Sequence, residues 1–369
     1  MNTETYSLLQ LGMIEGIGDA YATQLLNHFL NAQAIFGASF KELSTLLGTT
    51  KARNILSCSE NDASIENELD FMLRNEIIPI SILDERYPQK LRSIPDAPYL
   101  IFFKGNEAAL NSQRQLAIVG SRMLTAYGKE WTQYIVDALK PYNVTIVSGM
   151  AYGIDSVAHN QALKNEMPTI GVLAHGLDRI YPNVHERMAS EMIEKGGLIT
   201  EFKSQTIPER QHFPMRNRIV AGMTDATIVV ETDVKGGAMI TAKLAVGYNR
   251  DVMAIPGRAQ DARSSGCNYL IKTQMAHLVT ELEDVLQLMN WNDEHITSAR
   301  SIQQRLFNHC NETEHKIIDL IGYKNTMHID ELQLKSGIDD SQLANLLLQL
   351  EFQDIVTVLP GKRYKLNCA

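Results

Sequence analysis

Cysteine is scarce: Cys58, Cys267, Cys310 and Cys368 stand far apart in a chain of 369 residues, with no close pair. That spacing argues against a disulfide framework or a zinc site and fits a reducing compartment. Long apolar runs are missing, so nothing in the sequence is long enough to span a bilayer. The first residues, Met-Asn-Thr-Glu-Thr, have neither the basic region nor the apolar core of a signal peptide. A soluble, cytoplasmic protein is therefore expected. An excess of positive charge is missing as well. The net charge of −9 counts against a general nucleic-acid coat but leaves room for a local basic groove, because salt screens distant surface charges. No Gly-x-x-x-x-Gly-Lys-Ser/Thr phosphate loop occurs anywhere. No His/Cys/carboxylate set has metal spacing, and no loop supplies a nucleophile with its base. Neither a metal nor a cofactor is expected.

What is present is a series of short apolar runs between residues 115 and 271, each ending in a polar or glycine-rich loop. Gln115 to Val119 leads into Gly120-Ser121-Arg122. Val144 to Val147 leads into Ser148-Gly149 and then Gly153-Ile154-Asp155. Further runs end at His175-Gly176, Glu201, Glu231 and Pro256-Gly257. Apolar runs of this length alternating with helical patterns predict a parallel sheet with crossover helices. The carboxyl ends of such strands share one edge, where ligands bind. The loops should therefore converge on one site.

The chemistry of the loops suits an anion. Gly120 permits close backbone approach, Ser121 offers a hydroxyl and an N–H, and Arg122 offers a planar fork suited to phosphate; an arginine bridging to a neighbouring helix is the alternative. The Ser148 loop lacks the Gly-x-Gly-x-x-Gly spacing of a dinucleotide site, and Asp155 reads as a helix cap or internal acceptor rather than a base. Tyr181 is a candidate for stacking on a base, or else Tyr181-Pro182 buttresses its loop. Residues 208–218, Pro-Glu-Arg-Gln-His-Phe-Pro-Met-Arg-Asn-Arg, form the densest cationic cluster. Arg216, Asn217 and Arg218 would make an anion clamp at the start of an apolar helix over Ile219 to Met223. Gly236-Gly237, with Lys235 beside it and a helix following, is another phosphate-type turn.

Ahead of this domain, residues 1–75 read as a helical domain. Gly16-Ile17-Gly18 between two apolar helices resembles a helix-hairpin-helix, or is simply a tight turn. Residues 60–75 form an amphipathic helix with Ile65, Leu69, Met72 and Leu73 on its apolar face, and Tyr99 to Lys104 is a strand joining the main sheet. The second domain spans 76–289.

Taken together, Ile118-Val-Gly-Ser-Arg122, Ser148-Gly-Met-Ala-Tyr-Gly-Ile-Asp155, Gly176 with Tyr181-Pro182, Phe213-Pro-Met-Arg-Asn-Arg218, Gly236-Gly-Ala-Met-Ile-Thr-Ala242 and Ile255-Pro-Gly257 resemble the DNA-processing protein A family, also called Smf. The resemblance implies an α/β fold: an extended Rossmann-like central domain, with a helical, helix-hairpin-helix or SAM-like domain before it. It implies a protein that binds single-stranded DNA without catalysing a reaction. Such a protein protects incoming strands in natural transformation and helps load the RecA recombinase. Carried over by position, Gly120, Ser121, Arg122, Ser148, Gly149, Gly153, Tyr181, Arg216, Asn217, Arg218, Lys235, Gly236 and Gly237 would meet DNA. A homodimer would form near Asn268, Ile271 and Leu278. Gly236-Gly237 stands where many relatives have Ser-Gly, and Thr273-Gln-Met-Ala276 where they have Gly-Ala.

Residues 290–311 are polar and read as a linker. Helical patterns over Glu312 to Ile321, His328 to Leu334 and Asp339 to Phe352 follow. Then Ile355 to Leu359, a Pro360-Gly361 turn and Arg363 to Leu366 form a hairpin, so 312–369 reads as a winged helix. Its third helix carries Asp339, Asp340 and Glu351, which favours a protein contact over DNA reading. Two competing functions stand beside the binding one. One is a Rossmann-type nucleotide-processing enzyme such as a nucleoside monophosphate glycohydrolase, though no glutamate follows Gly236-Gly237 as that chemistry needs. The other is a pure protein scaffold.

Overall fold

The computed structural model describes residues 3–58, 62–291, 312–321, 326–352, 356–359 and 362–366. It divides into two compact units, Met1–Trp291 and Asn292–Ala369. The first opens with six helices: α1 (Thr3–Leu11), α2 (Asp19–Phe29), α3 (Ala32–Gly37), α4 (Phe40–Leu47), α5 (Thr49–Leu56) and α6 (Ala63–Arg74). Gly16 has φ +84° between α1 and α2, as the Gly-Ile-Gly turn requires. In α6, Ile65 and Met72 are buried as expected, but Leu73 is 81% exposed. The inward position belongs instead to Glu68, three residues after Ile65, whose carboxylate accepts the Ser204 N–H at 2.9 Å and the Ser204 hydroxyl. A buried carboxylate with donors is tolerated on an apolar face.

The sheet follows. Its strands are β1 (Ile78–Ser81), β2 (Leu100–Gly105), β3 (Arg114–Val119), β4 (Val144–Ser148), β5 (Thr169–Val172), β6 (Gly197–Thr200), β7 (Ala226–Val229), β8 (Asp251–Ala254) and β9 (His277–Leu278). Between them lie α7 (Gln89–Arg92), α8 (Ala126–Leu139), α9 (Ile154–Lys164), α10 (Glu186–Lys195), α11 (His212–Gly222), α12 (Gly237–Gly247) and α13 (Ser265–Lys272), with α14 (Leu282–Met289) after β9. The spatial order is β1-β2-β6-β5-β4-β3-β7-β8-β9. β1 and β2 run antiparallel to their neighbours, and the remaining pairs are parallel. Successive side chains of β3 serve opposite faces. Ala117 and Val119 enter one core with the N-terminal helices and α11–α13; Leu116 and Ile118 enter another with α8, α9 and α14. A strand buried on both faces is mostly apolar, broken only by small or hydrogen-bonded polar residues such as Thr145 and Thr227, which is why these strands read as nearly continuous runs.

Strand order reverses at β3. From there the chain steps through β4, β5 and β6 to one side, then returns to place β7 on the other side of β3. The gap between the carboxyl ends of β3 and β7 is thus a topological switch point.

One helix begins earlier than its sequence suggests. The apolar segment expected to start at Ile219 belongs to α11, which starts at His212. Pro214 lies in the first turn, where a proline gives up only an N–H that has no helical acceptor. Arg216, Asn217 and Arg218 therefore lie within a helix and not before it.

The second unit holds α15 (Glu312–Ile321), α16 (Ile329–Ser336) and α17 (Asp340–Phe352), with a three-stranded sheet of β10 (Thr326–His328), β12 (Arg363–Leu366) and β11 (Val356–Leu359) in that order. Ile317, Leu332, Leu343, Leu347, Leu350 and Val356 form its core. This is a winged helix with a third strand, β10, that three residues are too few to announce by alternation. His328 precedes α16 as its cap, accepting the Asp330 N–H. Past Trp291 the expected linker lies outside the described residues, as do Ile355, the Pro360-Gly361 turn, Cys310, Cys368 and the side chain of Ile318.

Candidate functional site

A cleft of about 800 Å³ opens at the switch point. Its walls come from the loops after β3, β4 and β7, from the first turn of α12 and from one face of α11. The loop after β3 is fixed from both sides. The Ser121 N–H donates to the Glu231 carbonyl at 2.6 Å, and the Ser121 carbonyl accepts the Ile154 N–H at 3.2 Å. Gly153 makes that second contact possible: at φ +82° a Cβ there would stand 2.1 Å from the Ser121 carbonyl oxygen. The Ser121 hydroxyl accepts the Met123 N–H at 3.1 Å, tightening the turn that presents Arg122. Below it, the buried Glu231 carboxylate accepts from the N–H and hydroxyl of Thr125, the residue that caps α8.

Arg122 is exposed and lines the cleft, its guanidinium carbon 5.2 Å from the centre of the Phe213 ring. Among the described residues it pairs with no carboxylate. Tyr181, 46% exposed, sits beside Phe213 with ring centres 6.2 Å apart. One guanidinium and the Phe213 ring thus share one lip of the cleft, and Tyr181 stands against Phe213 outside the lining. Arg210, also exposed, lines the cleft too.

Arg216 differs from Arg122. It is 4% exposed, and its guanidinium donates to the carbonyls of Gly149 and Val172, clamping the ends of β4 and β5. Gly149 must be glycine for this, because a Cβ there would meet the guanidinium at 2.6 Å. Asp155 is buried close by and accepts the N–H groups of Gly149 (3.1 Å) and Ala151 (3.3 Å). Burial pulls the Arg216 guanidinium down to about 10, with Asp155 opposing the shift and Arg122 adding to it. Burial pushes the Asp155 carboxyl up, against the pull of Arg216. Arg216 is still a cation at neutral pH, but most of its hydrogen bonding is spent on backbone. Asn217 lines the cleft, and its side-chain oxygen accepts from Arg216 Nε at 3.2 Å.

The fourth wall is the start of α12. Gly236 occupies the cap position without a side-chain hydrogen bond, and it lines the cleft together with Gly237, Ala238 and Thr241. A free helix N-terminus with its partial positive charge suits a phosphate oxygen.

Of the residues singled out by sequence, Gly120, Ser121, Arg122, Gly149, Arg216, Asn217, Gly236 and Gly237 line this one cleft. Ser148 is fully buried beneath it, with its hydroxyl on the Ile118 carbonyl at 2.6 Å. Gly153 shapes the loop without lining it. Lys235 is exposed outside the lining, its N–H given to the Asp233 carboxylate. Arg218 faces away: its guanidinium binds Asp19 at 2.8 Å and also Glu201 and the Asp96 carbonyl. Adjacent helical residues are turned by about 100°, so Arg216 and Arg218 point to opposite sides of α11. Asn268 bonds the N–H and carbonyl of Gly257, and Leu278 is 49% exposed on the edge strand β9.

Arg210, Phe213, Thr232 and Asp233 also line the cleft, though none of them is among the DNA contacts expected from the sequence. Arg210 and Phe213 stood inside the cationic stretch already noted. Thr232 and Asp233 directly follow Glu231, two residues past the end of β7, the strand that borders the switch point.

Comparison with known proteins agrees with this architecture. Residues 79–290 match the model of the DNA recombination-mediator protein A family, and residues 308–362 match the DprA winged helix domain. Protein Smf of Escherichia coli is 33% identical over 314 residues, covering 83% of this chain and 82% of its own length. The DNA processing protein DprA of Streptococcus pneumoniae is 41% identical over 206 residues, covering 56% of this chain and 72% of its own. The crystal structure of the S. pneumoniae protein superposes with a TM-score of 0.69 at 32% identity, over 78% of this chain and 98% of that one. A structure of DNA processing protein A from Helicobacter pylori, described for its single-stranded DNA binding mode, gives a TM-score of 0.53 at 27% identity, over 58% and 96%. The chain belongs to the DNA recombination-mediator protein A family.

Proposed function

We propose that the cleft at the switch point binds the sugar-phosphate backbone of single-stranded DNA and that the lip formed by Phe213 and Tyr181 receives an unpaired base. The observation that carries this is the meeting of unlike groups in one place. The exposed guanidiniums of Arg122 and Arg210 and the free N-terminus of α12 suit phosphates, while the Phe213 ring lies at the lip with Tyr181 against it. Cationic groove and aromatic platform together are the means by which proteins hold single strands without reading sequence. A paired duplex keeps its bases stacked inside and offers nothing to those rings. The H. pylori relative, described for single-stranded DNA binding, supports the same reading.

The cleft is a binder and not an enzyme in this reading. No histidine lines it, and each of its two carboxylates, Asp155 and Asp233, already accepts backbone N–H groups. The glycohydrolase alternative needs a glutamate after the glycine turn, and α12 reads Gly-Ala-Met-Ile-Thr-Ala-Lys-Leu-Ala-Val-Gly. The bound strand is held for recombination and passed to the RecA recombinase by a cytoplasmic homodimer joined near Ile271 and Leu278. Ser148, Gly153 and Lys235 serve the site from outside its lining.

Titration of labelled single- and double-stranded oligonucleotides of one length tests the central claim. Single strands should bind at least tenfold tighter. Equal affinity for both, or nucleotide turnover without DNA binding, overturns it.

A further inference from the structure

Helix α11 has two working faces. Phe213, Arg216, Asn217 and Val220, spaced three and four residues apart, line the cleft. Arg218 and Gly222 lie on the opposite face, against the N-terminal half of the chain. A Cβ on Gly222 would stand 2.7 Å from the Ile94 side chain, so the helix lies flush there. Arg250 donates to the Gly222 carbonyl at 3.4 Å and to the Lys90 carbonyl at 2.9 Å, holding the carboxyl end of α11 to α7.

Arg218 makes the tightest of these ties. Its side chain is 11% exposed and stands between two carboxylates, Glu201 at 8% and Asp19 at 28%. Burial works against its charge, but Glu201 and Asp19 outweigh burial and hold the guanidinium more firmly protonated than usual. Asp19 is the first residue of α2. Its second oxygen accepts the Tyr99 N–H at 3.3 Å, and the Tyr99 hydroxyl reaches the Leu8 carbonyl of α1 at 3.0 Å. A continuous set of bonds therefore runs from α1 and α2 through Asp19 and Arg218 into the helix that forms one wall of the cleft.

We propose that Asp19 is a positioning residue for DNA binding: through Arg218 it sets the placement of α11, so the N-terminal helices hold the cleft in its binding geometry without touching the strand. This rests on the single-strand reading above. It also assigns Arg218 a role other than phosphate contact, because its donors are spent on Asp19, Glu201 and the Asp96 carbonyl, on the face away from the cleft. With an aspartate in its first turn already engaged by Arg218, the start of α2 is a joint between elements.

The test uses Asp19→Asn, which removes one charge and leaves the Arg218–Glu201 pair, together with Asp19→Glu and Arg218→Ala in the full chain. Asp19→Asn should lower single-strand affinity roughly threefold or more. The slope of log affinity against log salt should stay at the wild-type value, because no phosphate contact is lost. Amide hydrogen exchange over 212–222 in the free protein should speed up, and Asp19→Glu should restore much of the affinity. Two results overturn the proposal. One is an Asp19→Asn protein that melts earlier but binds with wild-type affinity and slope. The other is an Arg218→Ala protein, shown to be folded, whose slope is shallower by about 0.7, the value of one lost phosphate. Wild-type protein that binds no single strand would instead defeat the reading on which this one stands, and the exchange measurement would still report whether Asp19 holds α11.

Discussion

Replacing Arg122 with alanine separates a binding guanidinium from a structural one. The side chain is exposed, lies 5.2 Å over Phe213 and has no carboxylate partner among the described residues. Folding loses only an exposed cation–π contact, about 0.5–1 kcal/mol, so the variant should melt close to wild type. Binding loses more. A hydrogen bond to a charged partner contributes about 1.5–3 kcal/mol, and exposure places Arg122 at the lower end. The expected loss is then about 1.5 kcal/mol, or roughly tenfold in Kd. The same contact releases a counterion, so the log–log salt slope should become shallower by about 0.7. Fluorescence anisotropy with labelled oligothymidine across a salt series reads both quantities at once. Arg122→Lys sharpens the result: the ammonium should keep the slope but not the full affinity, because it lacks the planar fork. A folded Arg122→Ala protein with unchanged affinity and slope would remove Arg122 from the phosphate path and leave the cleft without its most available cation.

The remaining expectations concern groups that the cleft depends on. Arg216→Met leaves the Gly149 and Val172 carbonyls without their buried donor and should cost about 1–3 kcal/mol for each in urea unfolding; unchanged stability with lost binding would make Arg216 a DNA ligand instead of a strut. His159 is fully buried on Thr169, and burial holds its imidazole down to about 3. The unfolded chain therefore takes up a proton below pH ~6.5 that the folded chain refuses, and stability falls with pH through that range. By pH 5 the loss is about 2 kcal/mol, and His159→Gln should flatten the profile between pH 7 and 5; an identical acid profile in the variant would refute this. Ile271→Glu or Leu278→Glu should yield monomers by light scattering, and persisting dimers would remove that end of the sheet as the interface. Phe213→Ala should weaken single-strand binding more than double-strand binding and so lower the preference for single strands; a uniform loss would argue against base stacking.

The sheet was legible because its strands are buried on both faces. Ile146 and Val147 go to different cores, the one polar residue inside their strand, Thr145, is small and buried, and the glycine-bearing loops mark where each run ends. The switch point was not legible from any one segment. It depends on β7 lying beside β3, a pairing that skips three intervening strands. Leu73 misled because one apolar residue next to a helical stripe counts as part of it until a polar neighbour proves to be buried, and Glu68 is buried only because Ser204 supplies two donors. The partner of Arg218 lies 199 positions away, beyond any local pattern.

The Arg-Asn-Arg triplet shows how a motif can be recognised correctly as a unit and still divide its labour. Read as a string, three polar residues beside a proline suggest one clamp on one anion. Placed in a helix, they fan over about 200°, and no single ligand can meet all three. The structure resolves the conflict by burial. Arg216 goes under the cleft floor to hold the ends of two strands, Asn217 faces the opening, and Arg218 faces the opposite packing surface. Both charges of the triplet are thus consumed in building the site, and its open cations come from residues that stand outside the triplet, Arg122 and Arg210. The chain's net charge of −9 is no obstacle to this arrangement. At physiological salt a charge is felt over only about 8 Å, so what a phosphate meets in the cleft is set by the groups that line it, two open guanidiniums and a helix end together with Asp233, and not by the carboxylates distributed over the rest of the surface.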